Sequence, residues 1–340
     1  MSSSVQGAEL GRLLRILVDE GVIDARAVLD GRASVSDLSR SNPVGLVHVD
    51  GRPVAVVKGR AASVDGVDPL AAEAAAYRWL AASPATARLA PTPALDVGRG
   101  AGIVTPLMTG AVTLHEALTS TPDASVTLIR KLGRMLGSVH SARAGAGDLA
   151  ARRPWILDVP AMRAPAPFAH SVAATQVVAE IRRRDTVTVA IARLAQSWSP
   201  RSAIHGDVKF DNVIVAGDRM LLVDWECAGL GEPVWDLAGV VDGLVLPLRL
   251  VGDAVASLDR SLVARLAEPA IAAHRTAAGR ALSPPLDALA IAAVARLAQT
   301  AIQLAGMGPE YREAGDGAQR ILGAATELAD ELAGVAGMEL

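Results

Sequence analysis

A two-lobed α+β architecture is predicted for this chain: a small antiparallel sheet first, then a larger, mainly helical region. Three observations point to it. The 340 residues exceed what one compact core usually holds, so two lobes are expected. Short valine-containing runs of strand length lie between residues 33 and 58, and Asp50-Gly51, a strong two-residue turn signal, separates two of them. Half of the chain is hydrophobic but only 3% is aromatic, and the excess of Ala, Val and Leu favours helices packed on small side chains.

Taken in order, residues Gly7 to about Asp30 carry Leu10, Leu13, Leu14, Leu17 and Val18 at helical spacing, an amphipathic helix expected to pack on the first lobe. Strands are expected at Ala33–Leu38, Gly45–Val49 and Pro53–Lys58. Lys58 closes a run of valines, and a lone charge on a buried strand needs a partner. The next helix opens at Asp68-Pro69, a cap followed by a first-turn proline. Within it Glu73 is the sole acid among apolar residues and shares a face with Leu70, Tyr77 and Leu80. Lys58 and Glu73 are therefore expected to pair. Pro91–Gly102 is a connection. Leu128, Leu132, Met135, Leu136 and Val139 mark a core helix ending near His140, a histidine read as a satisfied core group. Gly145–Phe168 is irregular, one helix is expected from about Thr175 to Ser197, and Ala- and Leu-rich helices follow Asp236, interrupted at Ser283-Pro284-Pro285 and near Gly306–Pro309.

Composition excludes several classes of function. A net charge of −3, with Arg182-Arg183-Arg184 as the one basic run and that read as a solvated helix face, gives no nucleic-acid surface. Cys227 is the only cysteine, so no intramolecular disulfide forms and a cytoplasmic location is expected, with the thiol as a small buried filler. The N-terminus lacks the basic start and apolar run of a secretory signal. The apolar segment Leu289–Leu304, broken by Arg296 and Gln299, reads as too short and too polar to span a bilayer. Only three of the 33 basic residues are lysines: Lys58, Lys131 and Lys209. Lysine is a compact point charge where arginine is a wide fork, so the choice has meaning beside a phosphate.

The chemistry concentrates between Ile204 and Asp236, IHGDVKFDNVIVAGDRMLLVDWECAGLGEPVWD. A hairpin of Val213–Val215 and Met220–Val223, turning through Ala216-Gly217-Asp218-Arg219, brings Asn212 and Asp224 to one end. A carboxylate and an amide oxygen side by side suit a hard cation such as Mg²⁺. Asp207 stands a few residues earlier, where it could accept a proton from a hydroxyl. This is the outline of a phosphoryl-transfer site; the competing reading is an acidic hairpin with no chemistry.

HGDxxxxN at His205–Asn212, followed by a strand and Asp224-Trp225-Glu226, resembles the aminoglycoside phosphotransferase and choline kinase-like family, which has a bilobal protein-kinase-like fold. The resemblance implies a nucleotide-binding lobe over residues 1–105, a hinge at 106–110 and a catalytic and substrate-binding lobe over 111–340. It implies ATP and Mg²⁺, with Asp207 as catalytic aspartate, Asn212 and Asp224 as metal ligands, and His205 bracing the loop. Asp236 would anchor the lower lobe. Lys209 replaces the histidine of many members, and Asp207-Val208-Lys209 is closer to the Asp-x-Lys of protein kinases, where lysine meets the transferring phosphate. Lys58, paired with Glu73, would hold the α- and β-phosphates. Ser39, Ser41 and Asn42 sit where a loop covers the phosphates, although the loop lacks the glycine-rich pattern and an ordinary polar turn fits equally. Thr105 would stand behind the adenine, with the Pro106 carbonyl and the Met108 N–H facing the base.

Members of this family act on aminoglycosides, macrolides, choline, sugars and other small alcohols. Others, in modified-peptide biosynthesis of the lanthipeptide or thioamitide type, act on Ser/Thr of precursor peptides ahead of phosphate elimination by a partner lyase. Ser39-Arg40-Ser41-Asn42, the extra N-terminal helix and Lys209 tilt the sequence reading toward a peptide acceptor. A small-molecule kinase and a catalytically silent nucleotide- or peptide-binding module are the alternatives. Neither a nucleic acid nor a membrane is expected as partner.

Overall fold

A computed structural model describes residues 14–15, 17–19, 21–38, 44–59, 68–92, 94–96, 102–108, 110–142, 149–161, 171–250, 257–307 and 312–336. In chain order these form α1 (Ala25–Leu29), β1 (Ala33–Asp37), β2 (Val44–Val49), β3 (Arg52–Lys58), α2 (Pro69–Ala81), α3 (Pro84–Ala87), β4 (Ala94–Asp96) and β5 (Gly102–Pro106). Then come α4 (Leu114–Ser120), α5 (Ser125–Ser141), α6 (Val172–Arg183), α7 (Asp185–Ser197), β6 (Ser202–Ile204), β7 (Val213–Ala216), β8 (Arg219–Leu222) and β9 (Gly229–Gly231). Four helices close the chain: α8 (Pro233–Leu250), α9 (Arg260–Ala278), α10 (Leu286–Ala305) and α11 (Arg312–Ala336). Two compact units result. One comprises residues 1–112, 144–149 and 214–228; the other comprises 113–143, 150–213 and 229–340.

The first unit is built on a five-stranded sheet in the order β1-β2-β3-β5-β4, with every neighbouring pair antiparallel. Asp50 (φ 51°) and Gly51 (φ 74°) both lie in the left-handed region, the turn that Asp-Gly favours because it matches strand twist. Val47, Ala55, Val57 and Val104 form a core with Leu17 and Ile23, joined by Leu14, Val18 and Val22. The N-terminal segment thus packs on the sheet as expected, but it is not one helix to Asp30. Gly21 turns the chain at φ 67°, and Asp24 caps the separate α1 through Arg26 N–H. Leu10 and Leu13 lie outside the described residues.

Asp68 caps α2 by accepting from Leu70 and Ala71 N–H at 3.1 and 3.3 Å. In β7–β8 the turn is Gly217-Asp218, with Ala216 and Arg219 taken into the strands. Leu222 N–H donates to the Leu89 carbonyl at 2.7 Å, and fully buried Trp225 donates its Nε1–H to the Leu222 carbonyl at 2.9 Å. The short turn Trp225–Cys227 packs against α2. Cys227 is exposed, not the buried filler expected: the turn spends its buried position on Trp225.

The second unit is helical. Helix α5 meets α9 through bare backbone, since a Cβ on Gly133 would lie 2.2 Å from the Ala270 carbonyl oxygen. Helix α10 is its centre, packed by α6, α7, α8 and α11. By length and composition the stretch Arg280–Ala305 is apolar enough to cross a membrane, with a mean hydropathy of 1.5 over its most apolar 18 residues. The expectation that it is too short and too polar is corrected on that count. Those 18 residues are 78% buried within the protein, as the central helix of a packed core is. The helix expected across Thr175–Ser197 is two. Arg184 leaves helical geometry at φ −99°, ψ 90°, and its Nη1 donates to Thr326 Oγ1 at 2.5 Å.

Candidate active site

In the first unit, Lys58 ends β3 with its ammonium among three carboxylates. Nζ lies 2.9 Å from Glu73 Oε2 and 2.6 Å from Glu226 Oε2, and it hydrogen bonds Asp224 Oδ1. Strand β3 delivers the lysine and α2 delivers Glu73. The exit from β8 delivers the other two, because Asp224 adopts φ 65°, ψ 59°, a left-handed turn that Asp and Asn tolerate best. The Lys58 side chain is 12% exposed and that of Glu73 4%. Burial alone would lower the lysine, but the three carboxylates outweigh it and hold Lys58 protonated well above the ordinary range. Burial pushes Glu73 up, and Lys58 pulls it partly back.

One positive charge against three negative ones leaves two in excess. Glu73, Asp224 and Glu226 each offer an oxygen, all within 4.8 Å of one another. That excess and those hard donors fit a divalent cation such as Mg²⁺. The carboxylate of Glu226 belongs to this group although the sequence reading left its role open.

In the second unit, the loop His205–Asn212 is sewn to the start of α8. Fully buried Asp236 accepts from His205 N–H at 2.7 Å, from Gly206 N–H at 2.9 Å and from His140 Nε2 at 3.0 Å. Burial opposes its charge, yet these bonds hold its carboxyl below the ordinary range. His140 is a satisfied core residue, bound also to His274 Nε2 at 2.8 Å. Trp235 Nε1–H donates to the Gly206 carbonyl at 2.8 Å. Val208 lies against Gly239, where a Cβ would meet the Val208 carbonyl at 2.5 Å.

Asp207 is gripped at both oxygens. Lys209 Nζ donates to Oδ2 at 2.8 Å and Arg296 Nη2 to Oδ1 at 2.9 Å. Burial would raise this carboxyl, but the two cations bring it well below the usual carboxylate range. Such a group stays ionised and is a strong hydrogen-bond acceptor but a weak base. A carboxylate held in this way is suited to orient a hydroxyl and to take its proton only once that hydroxyl has become acidic. His205, fully buried, accepts at Nδ1 from Asp207 N–H at 3.3 Å. Asn212 Nδ2 donates to the Asp207 carbonyl at 3.0 Å, which leaves Oδ1 as the atom suited to a cation.

Thr105 lies on β5 opposite Val56, beside the hydroxyl of buried Tyr77. Pro106 ends that strand, and the Met108 carbonyl accepts from Ala111 N–H at 3.2 Å. Ser39, Ser41 and Asn42 lie outside the described residues. Sequence reasoning missed Arg296, Asp242, Thr300 and His274. The signal for Arg296 was available: one arginine inside an apolar helix demands a partner, but the sequence does not say which.

Residues 36–275 match the sequence profile of a phosphotransferase enzyme family. The chain belongs to that family. Its reaction class is therefore phosphoryl transfer, and the silent-module alternative falls away. No curated protein matches the chain significantly. Among solved structures it is similar to a choline/ethanolamine kinase family protein from Mesorhizobium loti, at 19% identity and TM-score 0.52, covering 91% of this chain and 98% of that one. It is similar to an aminoglycoside phosphotransferase-like protein from Ralstonia eutropha, at 16% identity and TM-score 0.58, covering 94% and 98%. A glucosamine kinase in complex with glucosamine, ADP and inorganic phosphate aligns at 18% identity and TM-score 0.51, covering 88% and 81%. At these identities the likeness establishes the protein-kinase-like fold of this phosphotransferase.

Proposed function

We propose that this phosphotransferase moves the γ-phosphoryl group of MgATP to the hydroxyl of a small, amine-bearing alcohol. The observation that carries the reading is the grip on Asp207, whose carboxylate is kept ionised by Lys209 and Arg296 on a loop fixed by Asp236. In this reading Asp207 orients the acceptor hydroxyl and receives its proton late in the transfer, as the new P–O bond forms and the bond to ADP breaks. Lys58 neutralises the α- and β-phosphates, and Glu73 keeps it in place. Asn212 offers an amide oxygen, and Asp224 with Glu226 offer carboxylate oxygens; these are the atoms that would hold the metal. Magnesium, when bound, neutralises charge developing on the phosphate oxygens. Lys209 exchanges its bond to Asp207 for the moving phosphoryl group. Ser39, Ser41 and Asn42 cover the phosphates, and Thr105, Pro106 and Met108 line the adenine side.

Choline, ethanolamine, the aminoglycosides and glucosamine, after which these similar structures are named, each carry an amino or ammonium nitrogen and a hydroxyl, which supports that acceptor class here. The peptide acceptor and its lyase have no comparable support. Of the features that suggested them, the Ser39–Asn42 loop is outside the described residues, Leu17 is buried in the sheet core, and Lys209 is engaged by Asp207. The test is ADP release from MgATP with choline, ethanolamine, glucosamine, an aminoglycoside and Ser/Thr peptides. Asp207→Asn is expected to keep MgATP-dependent thermal stabilisation while turnover drops by about 10²–10⁴. Unchanged turnover in that variant removes Asp207 from the chemistry, and a peptide as fastest acceptor overturns the acceptor class.

A further inference from the structure

We propose that Arg296 is a positioning residue for Asp207, and that Asp242 and Thr300 hold Arg296 at its post; this rests on the reading of Asp207 given above. Arg296 projects from α10 and is fully buried. Its Nη2 bridges Asp207 Oδ1 at 2.9 Å and the Val208 carbonyl at 3.2 Å. Its guanidinium lies 5.3 Å from the centroid of the Trp235 ring, and Trp235 is the side chain that holds the Gly206 carbonyl. One side chain thus touches the loop at its carboxylate and its next carbonyl, and also touches the group that fixes the residue before. On its other side, Nε lies 3.7 Å from Asp242 Oδ2, and that oxygen accepts from Thr300 Oγ1 at 2.9 Å.

The two cations on Asp207 are not equivalent. Lys209 is 37% exposed at its side chain, on a flexible stem, whereas Arg296 is 1% exposed and planar. The buried Nη2 of Arg296 fixes the position of Oδ1, and the exposed lysine on Oδ2 can leave without disturbing it. Stability alone does not explain the arrangement. Among the described residues, Arg296 Nε and Nη1, Asp242 Oδ1 and Gln299 Oε1 are buried without hydrogen-bond partners. Burying such groups is costly, and hydrophobic replacement of buried ion networks is often neutral or stabilising. An arginine kept at that cost, aimed at the one carboxylate read as catalytic, acts on geometry.

The experiment compares Arg296→Met, Arg296→Lys, Asp242→Asn and Asp207→Asn in the full chain. It uses ADP release from MgATP with the fastest acceptor of the panel above, or with water if none is faster, and thermal unfolding in parallel. Arg296→Met is expected to lower kcat by about tenfold to a hundredfold, since small misplacements of a reacting group cost that much, with KM for MgATP within about twofold. Arg296→Lys should recover part of the loss. Asp242→Asn should lower kcat less, again at unchanged KM. If Arg296→Met does not fold, Arg296→Lys and Asp242→Asn decide by the same split. Wild-type kcat in the folded arginine variants, with Asp207→Asn still impaired, overturns the positioning role. Losses in kcat that vanish on lowering the temperature in step with stability overturn it as well. Wild-type turnover in Asp207→Asn instead refutes the reading of Asp207 on which the proposal rests.

Discussion

Among the described residues, Lys58 is the cation that Glu73, Asp224 and Glu226 share, so its removal differs in kind from removal of any one acid. Lys58→Met leaves three carboxylates facing one another, and denaturant unfolding is expected to show a loss of about 3–5 kcal/mol, the cost of breaking a buried pair. Glu73→Gln leaves the lysine two partners and should cost about 1 kcal/mol or less. Equal losses would mean the cluster does not act as one. His274 supplies a second test at this scale. Burial, with His140 beside it, pushes its imidazole down to about 3, so it is neutral in the fold while the unfolded residue titrates near 6.5. Between those values the unfolded state binds the extra proton, so stability is full above pH 6.5 and falls as pH drops. From pH 7 to pH 5 the loss is about 2 kcal/mol. His274→Gln should flatten that fall in thermal unfolding; an equal fall would place its origin elsewhere. The pairing of Lys58 with Glu73 was legible because each is a lone charge on an apolar face. Arg296 is just as isolated, but its partner lies 89 positions earlier in a loop whose motif accounts for itself without it.

Elements meet the loop and each other through glycines, which lets packing be separated from chemistry. A Cβ on Gly239 of α8 would lie 2.5 Å from the Val208 carbonyl oxygen, and one on Gly133 of α5 would lie 2.2 Å from that of Ala270. Gly239→Ala and Gly133→Ala should each destabilise by about 1–3 kcal/mol, the usual cost of overpacking. Well below their melting temperatures, only Gly239→Ala should lower kcat, because it displaces the residue after Asp207. A matched loss in Gly133→Ala would show that activity follows general stability. The hairpin at Asp50-Gly51 was readable because its turn needs two left-handed residues. The break at Arg184 was not, since apolar periodicity runs through it and what holds the kink, Thr326 on α11, is remote in sequence.

At the scale of the molecule, one unit carries a cation-ready cluster around Lys58 and the other a carboxylate held at both ends on a fixed loop. The fold class and the Lys58–Glu73 pair followed from one motif and a few charges out of place. The acceptor did not, because the motif specifies the transfer of a phosphoryl group and not the molecule that carries the hydroxyl. The apolar length of α10 shows why hydropathy alone misleads: a helix that passes as a membrane span is the centre of the second unit, with Arg296 inside it. The most direct measurement is phosphorus NMR of MgATP incubated with the protein and the amine-bearing alcohols. The γ-phosphorus signal is expected to pass into a phosphomonoester of one alcohol as ADP appears at the same rate, and Asp207→Asn to slow both by about 10²–10⁴. Inorganic phosphate as the sole product, formed equally fast by wild type and variant, would contradict it.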